Sequence, residues 1–179
     1  PLHMTTPTLQ KSRGRLGNLR STISFQAGDT LAFGDLTVET IPTPHDAADG
    51  TAFVVCAGTR RLGILTDLGH PFPELTEVLP TLDAVFMESN YDPDMLENGP
   101  YPAFLKDRIR GPAGHISNIE AARLLDQHTS DRLQWACLSH LSEDNNTPEL
   151  ALKTHRRIVS KHVNLHVASR HGPTGVLNV

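Results

Sequence analysis

Two short runs, "LDAVFMESN" and "LQWACLSHL", constrain this chain more than any other feature. Each is apolar on both alternations over about five residues and then turns polar. A strand with apolar side chains on both faces has to be covered on both faces, so the chain must build packed layers around a sheet. Earlier in the chain, "STISFQAGDTLAFGDLTVETIP" supplies two or three further strands, with turn signals at Gly28-Asp29 and Gly34-Asp35. "TAFVVCAG" and "RLGILTDLG" follow, joined by a hairpin at "GTRR".

From the middle onward helical patterns alternate with strands. "PFPELTEVLP" is a short one between prolines, and "YPAFLKDRIRG" stops at Gly111. "SNIEAARLLDQHTS" opens on a Ser/Asn cap, with Ile119, Ala122 and Leu125 at helical spacing. "TPELALKTHRRIVSKH" has Thr147 as cap, Pro148 at the first helical position and Glu149 in the first turn. The expectation is an α/β (α+β) chain, hairpins first and alternating helices and strands after. At 179 residues and 38% hydrophobic it has material for one core, a single domain over 1–179. The opening "PLHMTTPTLQ" lacks an initial methionine and reads as a loop, so the chain is expected to begin inside a domain.

The formal net charge of −4 gives no overall basic footprint, so any nucleic-acid contact would have to be a local patch or act through a metal. Lys11, Arg13, Arg15 and Arg20 form one basic cluster, expected on a solvated loop or helix. Cys56 and Cys137 sit inside apolar runs and read as buried small hydrophobes of a reducing, cytoplasmic compartment. No stretch is long and apolar enough to span a bilayer and no signal design opens the chain, so no membrane partner is expected.

The acids and histidines fall at strand ends. His45 and Asp46 follow "LTVETI", Asp67 closes "ILTD", and His140 closes "CLSH". Strand ends gather side chains from distant positions at one sheet edge, which is what a metal site needs. Imidazole and carboxylate suit zinc, and also manganese or iron, and a carboxylate such as Asp67 can bridge two cations. Taken singly, each residue has an ordinary reading as a capping or turn residue.

The combination resembles the metallo-β-lactamase-fold hydrolases. His45, followed 22 positions later by Asp67 with two apolar strands between them, is similar to that family's third and fourth ligand motifs. "LSHLSEDNN" is similar to its fifth. In their order and spacing, "HDAADGTAFVV", "TDLGH", "MESNYDPDML", "GPYPAFLKDRI", "GHISNIEAARLL" and "LSHLSEDNNTPELA" resemble the YycJ-like (WalJ-like) bacterial branch. That branch is associated with DNA exonuclease activity and is related more distantly to tRNA 3′-processing endonucleases. The resemblance implies an αββα sandwich and two divalent cations held by His45, Asp67 and His140, zinc first, with manganese or iron as alternatives. It also implies phosphodiester hydrolysis with DNA rather than RNA as substrate.

On the same resemblance, His115 would contact the scissile phosphate or donate a proton to the leaving oxygen, with Glu88 fixing its tautomer. The alternative is that His115 and Glu88 only tie a loop to the sheet. Asp46 is expected beside the ligands, and Asn90, Asn145 and Asn146 as loop fasteners or substrate contacts.

The chain departs from the family in one respect. It contains no His-x-His-x-Asp-His motif and no His-x-His pair, and His162, His166 and His171 lie in phrases resembling the family's C-terminal strand and tail. The chain is therefore expected to correspond to the C-terminal two-thirds of the fold, N-terminally truncated, with impaired metal binding. Three functions follow as expectations: a metal-dependent nuclease or phosphodiesterase, an inactive remnant of one, or a hydrolase of another ester. Uncovered apolar surface would favour association, a homo-oligomer included.

Overall fold

The computed structural model describes residues 1–160 and 163–179. His162 lies outside the described residues.

Among the described residues the strands form two sheets. β1 (Leu2–Thr5) pairs in parallel with β2 (Thr22–Phe25), and α1 (Thr6–Ser12) lies between them in the chain. The opening decapeptide is thus a strand and a helix rather than a loop. Pro7 sits in the first turn of α1, where its missing N–H is no loss, so a proline in this stretch does not imply irregular chain. Lys11, Arg13, Arg15 and Arg20 are exposed, as expected.

The main sheet has seven strands in the order of the sequence: β3 (Thr30–Phe33), β4 (Leu36–Pro42), β5 (Thr51–Ala57), β6 (Arg60–Leu65), β7 (Ala84–Glu88), β8 (Trp135–Ser139) and β9 (Asn164–Val167). β3 to β6 are antiparallel neighbours, and β6 to β9 are parallel. The β5–β6 hairpin turns at Gly58, whose φ of 58° a side-chain-bearing residue adopts only with strain. Parallel pairing requires crossovers. The first is α2 (Pro73–Val78), continued by a 3-10 turn at Leu79–Thr81. The second contains α3 (Pro93–Asn98), α4 (Ala103–Arg110) and α5 (Asn118–His128), and the third is α6 (Pro148–Ile158).

The helices begin where the caps are. Ser117 and Glu120 form a complete capping box on α5, and Thr147 accepts from Leu150 N on α6. α6 ends at Ile158. α3, not anticipated from sequence, starts on an Asp92 cap followed by Pro93.

The core lies on one face of the main sheet. Val54, Leu65, Val85, Met87, Ala136 and Leu138 point into it and meet Leu75, Leu79, Ala121, Leu125 and Ala151 from the helical layer. On the opposite face Ala84, Trp135 and Cys137 make a smaller cluster, closed by Ala168 and Leu177 of the C-terminal segment. Cys56 and Cys137 are both free and buried. No helix among the described residues is long and apolar enough to cross a membrane.

Candidate metal centre

The topology decides which loops meet. β4 runs parallel to β6, because both are antiparallel to β5, so the chain leaves β4, β6, β7 and β8 at the same sheet edge. That edge, outside the carboxyl ends of strands, is where open α/β sheets place their sites. His45 follows β4, Asp67 follows β6, Glu88 is the last residue of β7, and His140 follows β8. His115 arrives on the loop before α5, which continues alongside the end of β7 through the bridge of Tyr91 with Ser117.

Ligand atoms of Asp67, Glu88, His115 and His140 all lie within 4.8 Å of one another. His45 flanks this group, its Nε2 3.4 Å from Asp67 Oδ1 and its ring 4.7 Å, centre to centre, from that of His115. His45 Nδ1 donates to Gly114 O at 2.7 Å, which leaves Nε2 as the lone-pair nitrogen turned toward Asp67.

Glu88 is fully buried. Its Oε1 accepts from His115 Nδ1 at 2.8 Å and from His140 Nδ1 at 2.9 Å, and its Oε2 accepts from Leu68 N at 2.9 Å. Burial alone would raise its pKa, but the hydrogen bonds from the two imidazoles outweigh that and hold it down to about 2. The His140 pKa is raised, chiefly by its bond to Glu88. Beside the expected partner His115, Glu88 also holds His140, a contact across 52 residues with no local signature.

Two backbone conformations mark the site. Among the described residues, Asp67 at φ 57° and His140 at φ 56° are the non-glycine residues with positive φ. Each stands in the left-handed region, which costs a residue with a Cβ roughly 1–2 kcal/mol. Such strain persists only where surroundings impose it, and here it falls on two of the residues that converge. Gly69, at φ 70°, locks the neighbouring loops: a Cβ there would stand 2.7 Å from both Pro44 O and Pro112 O. The loops bearing His45, Asp67 and His115 therefore interlock at one glycine.

The surroundings are held by amides. Asn90 Nδ2 donates to His140 O at 2.8 Å, and Asn146 Nδ2 donates to Ser89 O at 2.8 Å. Buried Asn118 joins Asn146 to Ser89, and Asn145 is buried against Ser142. Asp46 does not join the four-residue group. Arg108 of α4 grips it with two bonds, Nε to Oδ2 at 2.6 Å and Nη2 to Oδ1 at 3.0 Å, and these hold the Asp46 carboxyl below its usual range. Nothing in the sequence signalled Arg108, 62 residues away.

Imidazole nitrogens and carboxylate oxygens facing one another at this spacing suit zinc, manganese or iron, so the donor set fits a metal.

No family model matches the sequence. The chain is 33% identical over 153 residues to exodeoxyribonuclease YycJ of Bacillus anthracis, covering 84% of this chain and 58% of that protein. It is 32% identical over 130 residues to exodeoxyribonuclease WalJ of Streptococcus pneumoniae, covering 73% of this chain and 48% of that protein. The chain thus spans about half the length of the curated relatives it matches. Among solved structures, the metallo-β-lactamase fold protein YhfI of Bacillus subtilis superposes with a TM-score of 0.70 at 16% identity, over 94% of this chain and 62% of that one. Zn2+-bound PqqB of Methylobacterium extorquens superposes with a TM-score of 0.65 at 16% identity, over 93% and 62%. The strand-end histidines, the mixed sheet and the shared sequence agree: this chain is a YycJ/WalJ-like protein of the metallo-β-lactamase fold.

Proposed function

We propose that this protein is a metal-dependent phosphodiester hydrolase acting on DNA, working with two divalent cations, zinc in first place. The observation that carries this reading is the convergence of Asp67, Glu88, His115 and His140 within 4.8 Å, with two of the four held in a strained backbone conformation. The two nuclease relatives support DNA as substrate.

In this reading Asp67 would be shared by the two cations, and His45 and His140 would each help to hold one of them. Cations held there, when bound, make hydroxide available near neutrality and neutralise charge on the phosphoryl oxygens. Glu88 fixes the His115 ring through Nδ1 and would stabilise its imidazolium form, whose Nε2–H would pass to the departing ester oxygen and leave the ring neutral. Asn90, Asn145 and Asn146 keep the His140 loop in place.

A second reading has its own observation. The 179 residues contain no His-x-His-x-Asp-His. His45, Asp67 and His140 then give each cation about two protein ligands, short of the three that hold a catalytic zinc. On that reading the chain alone binds metal weakly and hydrolyses little.

Zinc and manganese titration of the purified protein, with cleavage of single-stranded DNA followed in parallel, separates the two. Metal retention and cleavage in the wild type, both lost in Asp67→Asn, support the first reading. Absence of both in the wild type supports the second, and cleavage that survives Asp67→Asn overturns the proposed centre.

A further inference from the structure

Beyond His140, a cavity of about 530 Å3 opens between the carboxyl ends of β8 and β9. We propose that it seats the terminal nucleotide of the DNA strand, with Arg170 engaging that nucleotide's phosphate. This inference rests on the reading of the adjacent centre as a phosphodiester hydrolase.

Three observations carry it. The first is size, since about 500 Å3 falls within the range of small-molecule sites and accommodates one nucleotide but no length of duplex. The second is position. His140 belongs both to the cavity wall and to the converging group, so a nucleotide seated in the cavity has its linkage to the next residue at the metal centre. The third is chemistry. Leu141, Pro148 and Val167 offer apolar surface for a base or sugar face, while Ser142, Ser169 and Arg170 bring polar atoms to the same space.

Arg170 is held in place but remains available. Its Nη2 donates to Leu141 O at 2.8 Å, which orients the guanidinium at the cavity. Its Nη1 meets Glu143 Oε2 at 2.7 Å, and the Glu143 side chain is 71% exposed. So exposed a pair contributes little, and a phosphate that takes two parallel N–H bonds from the guanidinium fork displaces Glu143. A pocket of one-nucleotide size beside the centre agrees with the exodeoxyribonuclease activity for which the two relatives are named.

The test needs neither metal nor turnover. The full chain is titrated with deoxyadenosine 5′- and 3′-monophosphates, deoxyadenosine and inorganic phosphate while backbone amide shifts are followed. Either mononucleotide should move the amides of residues 141–147 and 167–171 and bind about tenfold more tightly than deoxyadenosine or phosphate. Arg170→Gln should weaken the mononucleotide by about tenfold, and Arg170→Lys by less. Shifts that miss the cavity, affinity unchanged in Arg170→Gln, or phosphate binding as tightly as the mononucleotide would each overturn the proposal. A protein that binds the mononucleotide but cleaves no DNA refutes the hydrolase reading and keeps the pocket. One that cleaves DNA without binding the mononucleotide does the reverse.

Discussion

At the residue scale, Asp67 and His140 hold conformations that favour glycine, in a region that Asp and His enter more readily than most residues with a side chain. The strain falls on the site, and relieving it should separate stability from function. Asp67→Gly is expected to raise the unfolding free energy in the absence of metal by about 1 kcal/mol while abolishing metal retention. Urea titration beside metal analysis checks both; a destabilised Asp67→Gly protein would show that the carboxylate is structural. His155 on α6 is a second residue with a measurable signature. It is fully buried, its Nδ1 donates to Ala151 O at 2.8 Å, and among the described residues its Nε2 has no hydrogen-bond partner. Burial pushes its pKa down from 6.5 to about 4. Below pH 6.5 the unfolded chain takes up a proton that the folded chain refuses until about pH 4, so stability falls as pH drops through that window. The loss should reach about 2 kcal/mol between pH 7 and pH 5. His155→Leu should flatten that part of the pH profile of urea unfolding, and an unchanged slope would place the titration elsewhere.

At the element scale, the loops carrying the site depend on α5 and on Gly69. The Ser117 hydroxyl accepts from Glu120 N, and the Glu120 carboxylate accepts from Ser117 N at 2.8 Å, immediately after His115 and Ile116. Ser117→Ala should cost about 1 kcal/mol. Gly69→Ala should cost more, because a Cβ must push apart the Pro44 and Pro112 carbonyls, and it should disturb the His45 and His115 signals in an NMR spectrum where Ser117→Ala leaves His45 unmoved. Those caps were legible in the sequence, as were the strands "TAFVVCA" and "WACLS" and the placing of His45, Asp67 and His140 at strand ends, because each is written in adjacent residues. α3 is written in adjacent residues too, for Asp92-Pro93 repeats the cap-then-proline signal of Thr147-Pro148. β1 pairs with β2 across 20 residues, and Glu88 serves two histidines 27 and 52 residues away. Such contacts are set by which loops the sheet brings together, and no local spacing encodes them.

At the scale of the whole molecule, the two faces of the main sheet are unequal. Directly paired residues share a face, so Phe53, Ile64, Phe86 and Cys137 form one row across β5 to β8. Near β7 and β8 this face is closed by Leu177 and Ala168, whereas toward β3 it leaves Phe33 41%, Leu36 41% and Ile64 37% exposed. Leu65, one residue beyond Ile64, points to the other face and is fully buried under the helices. Neighbouring substitutions should therefore differ in kind. Ile64→Thr keeps a β-branched residue at a half-open position, so its unfolding free energy should stay within about 0.5 kcal/mol of wild type. It should also reduce association on concentrating the protein, because it interrupts the apolar row. Leu65→Ala should cost 2–5 kcal/mol, the usual range for emptying a core leucine site, and leave association of the folded protein unchanged. Urea unfolding and light scattering over a concentration series measure the pair. Equal destabilisation by both would show that the Ile64 face is covered in solution as fully as the Leu65 face.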